Sequence, residues 1–151
     1  FDLKGNPIQS GIWVNDHLMD IHCQVSGCVN DITCYSRIET LSIASDSYNK
    51  ATELNLCKCE CLKEITIGDH SCICVQSLSL EGMRELCSLS VGNHSFTECN
   101  ATWESQRNFA QCAKEQGKAL RIVNCPKLNS VVVGINSFSD FVKFYLEGIG
   151  K

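Results

Sequence analysis

Twelve cysteines in 151 residues constrain this chain more than any other feature. They stand at Cys23, Cys28, Cys34, Cys57, Cys59, Cys61, Cys72, Cys74, Cys87, Cys99, Cys112 and Cys125, which leaves a cysteine-free arm at each end. Such density in a short chain marks a disulfide scaffold, and the even number permits complete pairing, so the expectation is a framework over residues 23–125 in an oxidising compartment. Cys57, Cys59 and Cys61 alternate with Lys58 and Glu60 and would share one face of an extended strand; Cys72 and Cys74 repeat the arrangement. Thiolates this dense, with His70 nearby, also suit zinc or copper(I). The disulfide reading is preferred, because the paired CxxC spacing of zinc ribbons is missing, and no metal or cofactor is expected. Residues i and i+2 of a strand rarely reach disulfide geometry, so the Cys57/Cys59/Cys61 cluster should bridge outward to distant elements.

An apolar fraction of 44% with only two prolines describes a globular chain, and the length suits a single extracellular domain over residues 1–151. Residues 1–14 lack the basic start and apolar stretch of a signal peptide, which fits a secreted chain whose signal has been removed. No run of about 18 apolar residues is present, so no transmembrane segment is expected. A net charge of −4 with scattered basic residues argues against nucleic acid and anionic lipid as partners.

Periodicity predicts two main helices. Thr102 can cap one from Trp103 to Gln116 with Gly117 as its stop, and Phe138, Phe141, Val142, Tyr145 and Ile149 follow helical spacing for an amphipathic carboxy-terminal helix over about 139–147. Shorter helices are expected over Asp46–Leu56 and Leu80–Cys87. Strands are expected at Glu64–Ile67, Cys72–Ser77, Ala119–Asn124 and Val131–Ile135, with Gly68-Asp69 turning the first two into a hairpin. From Cys74 on, the cysteines fall every 12 or 13 residues, a spacing read as element length because the intervening residues do not repeat at that period. The expected fold class is α+β, a small disulfide-rich single domain with a few helices and short antiparallel strands.

Asn93-His94-Ser95 and Asn100-Ala101-Thr102 both satisfy the N-glycosylation pattern, so Asn93 and Asn100 are candidate glycan sites. The segments TWESQR from Thr102 and CAKEQGKALRIV from Cys112 resemble the first helix and following strand of C-type lectin-like domains over about 25 residues. The tryptophan-rich, calcium-binding second half of that fold has no counterpart here. The spacing of Cys23, Cys28 and Cys34 with the later CxC pairs is similar to the helical domains of receptors for glial-derived growth factors, without their full cysteine framework.

For catalysis the candidate bases are His17, His22, His70 and His94, and the paired carboxylates are Glu60 with Glu64 and Glu81 with Glu85. None sits in a nucleophile elbow, an HExxH helix or a phosphate-cradling glycine loop. The leading reading is a secreted, non-enzymatic glycoprotein that binds a protein or cell-surface partner, homodimerisation being open. The alternatives are an antibacterial host-defence protein and a small secreted hydrolase. The first alternative needs the carboxy-terminal helix to attack a microbial membrane; Asp140 and Glu147 offset Lys143 and Lys151 there, so core packing is favoured over membrane attack.

Overall fold

A computed structural model describes residues 12–14, 17–19, 21–25, 38–56, 59–98 and 117–150. Eleven strands run in chain order among the described residues: β1 Ile12–Val14, β2 His17–Met19, β3 Ile21–Val25, β4 Ile38–Ile43, β5 Glu53–Asn55, β6 Glu64–Ile67, β7 Ser77–Glu81, β8 Ser88–Val91, β9 Ala119–Cys125, β10 Ser130–Val133 and β11 Lys143–Ile149. Apart from the antiparallel pair β1–β2, every pairing is parallel, in one sheet of order β10-β8-β6-β4-β3 and a second of order β11-β9-β7-β5.

The register explains the arrangement. Leu41 pairs with Ile65 and Ile65 with Leu89, each 24 residues on, while Leu54 pairs with Leu78 at the same step. From β4 on, strands of the two sheets alternate along the chain, so each 24-residue unit is one coil of a parallel β-solenoid that lays one strand on each sheet. Two later steps, Leu89 to Val131 and Leu78 to Leu120, are 42 residues long, so that coil carries an 18-residue insertion.

Parallel stacking lines up like residues in columns. Leu41, Ile65 and Leu89 form one buried column; Ile43, Ile67 and Val91 form a second; Leu54, Leu78 and Leu120 form a third; Leu56, Leu80 and Ile122 form a fourth. Ile38 at the start of β4 and Leu62, Leu86 and Leu128 in the connections between strands continue the pattern, all buried. Each coil alone could not bury these side chains; stacked coils do so jointly, at roughly 1.5–3 kcal/mol per large apolar group.

The turns after β4, β6, β8 and β10 are equally regular. Asp46, His70, His94 and Asn136 adopt positive φ, and so, two residues later, do Tyr48, Cys72, Phe96 and Phe138. Between them lies a serine ladder. The amides of Ser47, Ser71 and Ser95 donate to the hydroxyls of Ser71, Ser95 and Ser137 at 3.2, 3.2 and 2.9 Å. Those three hydroxyls donate back to the carbonyls of Ala44, Gly68 and Gly92. Here the ladder satisfies buried backbone groups that a turning chain would otherwise orphan. The glycines allow the close approach: a Cβ on Gly92 would lie 2.7 Å from the Asp69 nitrogen.

Several expectations are overturned. No helix occurs among the described residues, and the fold is not an α+β disulfide-rich domain with antiparallel strands. Asp46–Leu56 is a turn followed by β5, and Leu80–Cys87 is the end of β7 and a turn. Gly68-Asp69 does not make a hairpin, since β6 pairs in parallel with β4 and β8. The carboxy-terminal segment expected as a helix includes β11, a strand along β9. Its helical spacing mixed two environments: Phe138 and Phe141 pack on Phe96 in the turn, with ring centroids 4.6 and 6.3 Å away, and from Lys143 onward the alternation has period two. The helix expected from Trp103 to Gln116 lies outside the described residues.

The cysteine framework is corrected as well. No disulfide joins the described cysteines, and Cys61, Cys72, Cys74, Cys87 and Cys125 are free thiols. Cys59 and Cys125 occupy one inward column with Met83, and Cys72 fills the place that Tyr48, Phe96 and Phe138 take in neighbouring coils. In such positions cysteine acts as a small hydrophobe. Burial pushes the Cys72 thiol well above its ordinary value and raises that of Cys125, so neither is poised as a thiolate. Cys28, Cys34, Cys57, Cys99 and Cys112 lie outside the described residues, and Cys23 lies on β3.

Candidate functional site

The outer face of the four-stranded sheet follows from strand alternation. Leu54, Leu78, Leu80, Leu120 and Ile122 point into the core, so their neighbours point out in ranks: Glu53 and Asn55 on β5, Ser77, Ser79 and Glu81 on β7, Ala119 and Arg121 on β9, and Lys143, Tyr145 and Glu147 on β11. Parallel ranks stand about 4.8 Å apart, the strand spacing of the sheet. Glu53, Leu54, Asn55, Ser77, Ser79 and Glu81 line a shallow open depression of about 470 Å³.

The depression carries two carboxylates, two hydroxyls and an amide, and no cation in its lining. Arg121 stands beside it, its Nε 3.9 Å from Glu81 and its guanidinium 4.7 Å from the centroid of the Tyr145 ring. Both ends of the Arg121–Glu81 pair are roughly half exposed, so the pair is worth little as a bond and remains open to exchange with a ligand charge.

A second polar cluster sits at the neck of the insertion. Glu98 is the last described residue before it and Lys118 the second after it. The Lys118 ammonium is fully buried, 2.9 Å from Asp140 Oδ2, 3.8 Å from Glu98 and donating to the Ile73 carbonyl at 3.2 Å. The Glu98 amide donates to the same Asp140 oxygen at 3.0 Å. Asp140 thereby ties both ends of the insertion to the last coil.

The residues singled out for catalysis do not converge. His70 and His94 stack at 5.1 Å on successive turns, with Asp46 and Asn136 at the equivalent positions of the other coils. His17 and His22 lie on β2 and β3. Glu85 is held by Lys127 at 2.6 Å, and Glu81 by Arg121, on different columns; Glu60 lies in a turn while Glu64 opens β6. No group of three metal-ligating side chains occurs among the described residues, nor any helix long and apolar enough to cross a membrane. Asn93 is half-buried, its side-chain oxygen accepting from the Ile135 amide at 2.9 Å, and Ser95 of the same sequon is buried in the serine ladder. Asn100 lies outside the described residues.

The sequence reading missed the repeat, although a signal for it is visible. Gly68-Asp-His-Ser, Gly92-Asn-His-Ser and Gly134-Ile-Asn-Ser recur at steps of 24 and 42 residues, and only the cysteine spacing of 12 to 13 drew attention. Comparison of the chain with protein-family models, with curated proteins and with solved structures returned no match.

Proposed function

We propose that this chain is a non-enzymatic recognition module that binds an extended polypeptide segment bearing a basic residue along the outer face of the four-stranded sheet. The observation that carries the reading is the depression with Glu53 and Glu81 at its margins and Ser77, Ser79 and Asn55 between them. Ranked side chains on a rigid sheet suit an elongated partner, as solenoid surfaces do generally. Two carboxylates without a cation in the lining favour a positively charged group, with electrostatics setting specificity and on-rate more than raw affinity. The scatter of histidines, hydroxyls and carboxylates over separate columns supports a binder over a hydrolase.

Secretion and glycosylation belong to this proposal through the sequons at Asn93 and Asn100, not through the cysteines. The segment that the antibacterial alternative assigned to membrane attack is in large part a strand hydrogen-bonded to β9, which favours the binding reading over it.

A peptide array and a glycan array probed with the protein and with a Glu53→Gln/Glu81→Gln double variant test the reading. Expected are basic peptides whose binding falls about tenfold or more in the variant, the loss of two charge-assisted contacts. Binding confined to glycans, or peptide binding indifferent to the substitutions, would overturn it.

A further inference from the structure

The outer face of the four-stranded sheet changes sign across its width. By register, Glu53, Ser77, Ala119 and Lys143 form one rank, Asn55, Ser79, Arg121 and Tyr145 the next, and Glu81, Val123 and Glu147 a third. Carboxylates therefore stand on β5 and β7 and cations on β9 and β11, with Glu147 as the acidic exception on β11. The small Ala119 side chain lies between Ser77 and Lys143, so the surface beside Arg121 is low there.

Arg121 is held ready for an anion. Its guanidinium lies 4.7 Å from the centroid of the Tyr145 ring, and stacking of this kind fixes its plane while leaving the N–H edge open. Its ion-pair contact is Nε to Glu81 at 3.9 Å, too long for a hydrogen bond, and among the described residues no hydrogen bond takes its terminal N–H groups. A planar fork of donors in that state matches a carboxylate, which it can hold through two parallel bonds. Lys143 reinforces the charge from the neighbouring strand, roughly 8 Å away between Cα atoms by the spacings of a sheet. Glu147 stands on the other side of Tyr145 and repels an acid there, so a carboxylate settles on the Lys143 side of Arg121.

We infer, granting that a basic residue sits at Glu53 and Glu81, that the bound segment also carries an acidic residue and that Arg121 selects it. The centre of the acidic half, between β5 and β7, lies two strand spacings or about 10 Å from the centre of the basic half. An extended segment crossing the strands presents residues i and i+2 on one side about 7 Å apart, and the long stem of a lysine or arginine spans the remainder. The recognised pattern is thus a basic and an acidic residue two positions apart. Binding exchanges partners: Glu81 leaves Arg121 for the incoming cation, and the incoming carboxylate takes its place on Arg121. One half-exposed pair of little worth gives way to two charge-assisted contacts across the interface.

Fluorescence anisotropy with short labelled peptides of serine and threonine tests this. One peptide carries a lysine and, two positions on, a glutamate; a second has glutamine for the glutamate, and a third has glutamine for the lysine. The first should bind about tenfold tighter than the second. Arg121→Gln should erase that difference while the second peptide binds as before or tighter, because Glu81 has lost its competitor. A merely structural role for Arg121 would weaken both peptides alike. Arg121→Lys should keep part of the preference, since a point charge remains without the fork. Circular dichroism checks that each variant is folded. A glutamate peptide no tighter than its glutamine analogue on the wild type, or a preference that survives Arg121→Gln, would overturn the selection by Arg121. A third peptide as tight as the first, or no binding of either lysine peptide, shows instead that a basic residue is not recognised, which removes the reading of the depression and this selection with it.

Discussion

Removing Asp140 tests how the insertion is anchored. Asp140→Ala takes away the 2.9 Å partner of a fully buried ammonium and the acceptor of the Glu98 amide, leaving Lys118 with the Ile73 carbonyl and Glu98 at 3.8 Å. Breaking a buried pair by deleting one member costs about 3–5 kcal/mol. The lower end applies here, because Glu98 is 30% exposed and keeps part of the compensation. The expected loss is therefore about 3 kcal/mol, which at a urea slope of about 1.5–2 kcal/mol/M lowers the midpoint by about 1.5–2 M. Replacing both partners by apolar side chains of similar volume, Lys118→Met with Asp140→Leu, should stay within about 1 kcal/mol of the wild type, since no charge is then left without a partner. Asp140 Oδ1 already has no hydrogen-bond partner among the described residues, so the pair has little to lose in that exchange. Urea melts followed by circular dichroism read both numbers. A single substitution costing under about 1 kcal/mol, or a double variant as unstable as the sum of the singles, would refute the reasoning.

Other positions carry further expectations. Gly92→Ala should destabilise by about 1–3 kcal/mol, because the new methyl meets the Asp69 nitrogen and the Gly68 carbonyl carbon at 2.7 Å, both backbone, and the urea midpoint reads the loss. Ser71→Ala should cost about 1–3 kcal/mol by removing the hydroxyl that accepts from the Ser47 amide and donates to the Ala44 carbonyl, and amide exchange should quicken at Ser47 while remote strands are unaffected. Iodoacetamide should label exposed Cys61 in the native state and reach buried Cys72 and Cys125 only on unfolding; equal rates at all three, followed by mass spectrometry, would contradict the assigned burial. Because burial raises the Cys72 and Cys125 thiols in the folded state, the unfolded chain loses these protons first. Stability should then fall as pH rises above the ordinary thiol value of 9.0, measured by urea melts at successive pH values, and Cys72→Ala should flatten that fall.

Parts of the fold were legible residue by residue. Glu64–Ile67 was read with the bounds β6 has, and Ala119–Asn124 falls one residue short of β9, because alternating β-branched and apolar residues specify strand locally. The strand expected at Val131–Ile135 overlaps β10, and the one at Cys72–Ser77 only touches β7. Apolar steps of three, as from Cys59 to Leu62 to Ile65, recur around each coil at its corners and imitate a helix over short windows. Cysteine numbers misled for a different reason: composition counts thiols, and only position says whether a thiol meets another or fills an inward column. For the candidate site, Glu81 was noticed as half of a carboxylate pair, but Glu53, Ser77 and Ser79 were not, since they meet only when β5 and β7 stack.

By itself the sequence determined a globular chain, the local strand character of β6 and β9, and, in its Gly-x-x-Ser recurrence, the length of one coil. Tertiary structure decided that these strands pair in parallel with partners 24 or 42 residues away, and that Lys118 and Asp140 meet in the interior. The reason is physical. Strand alternation is a local steric property, whereas the direction and distance of pairing are chosen by which stacking buries every column at once, and no single coil carries that information.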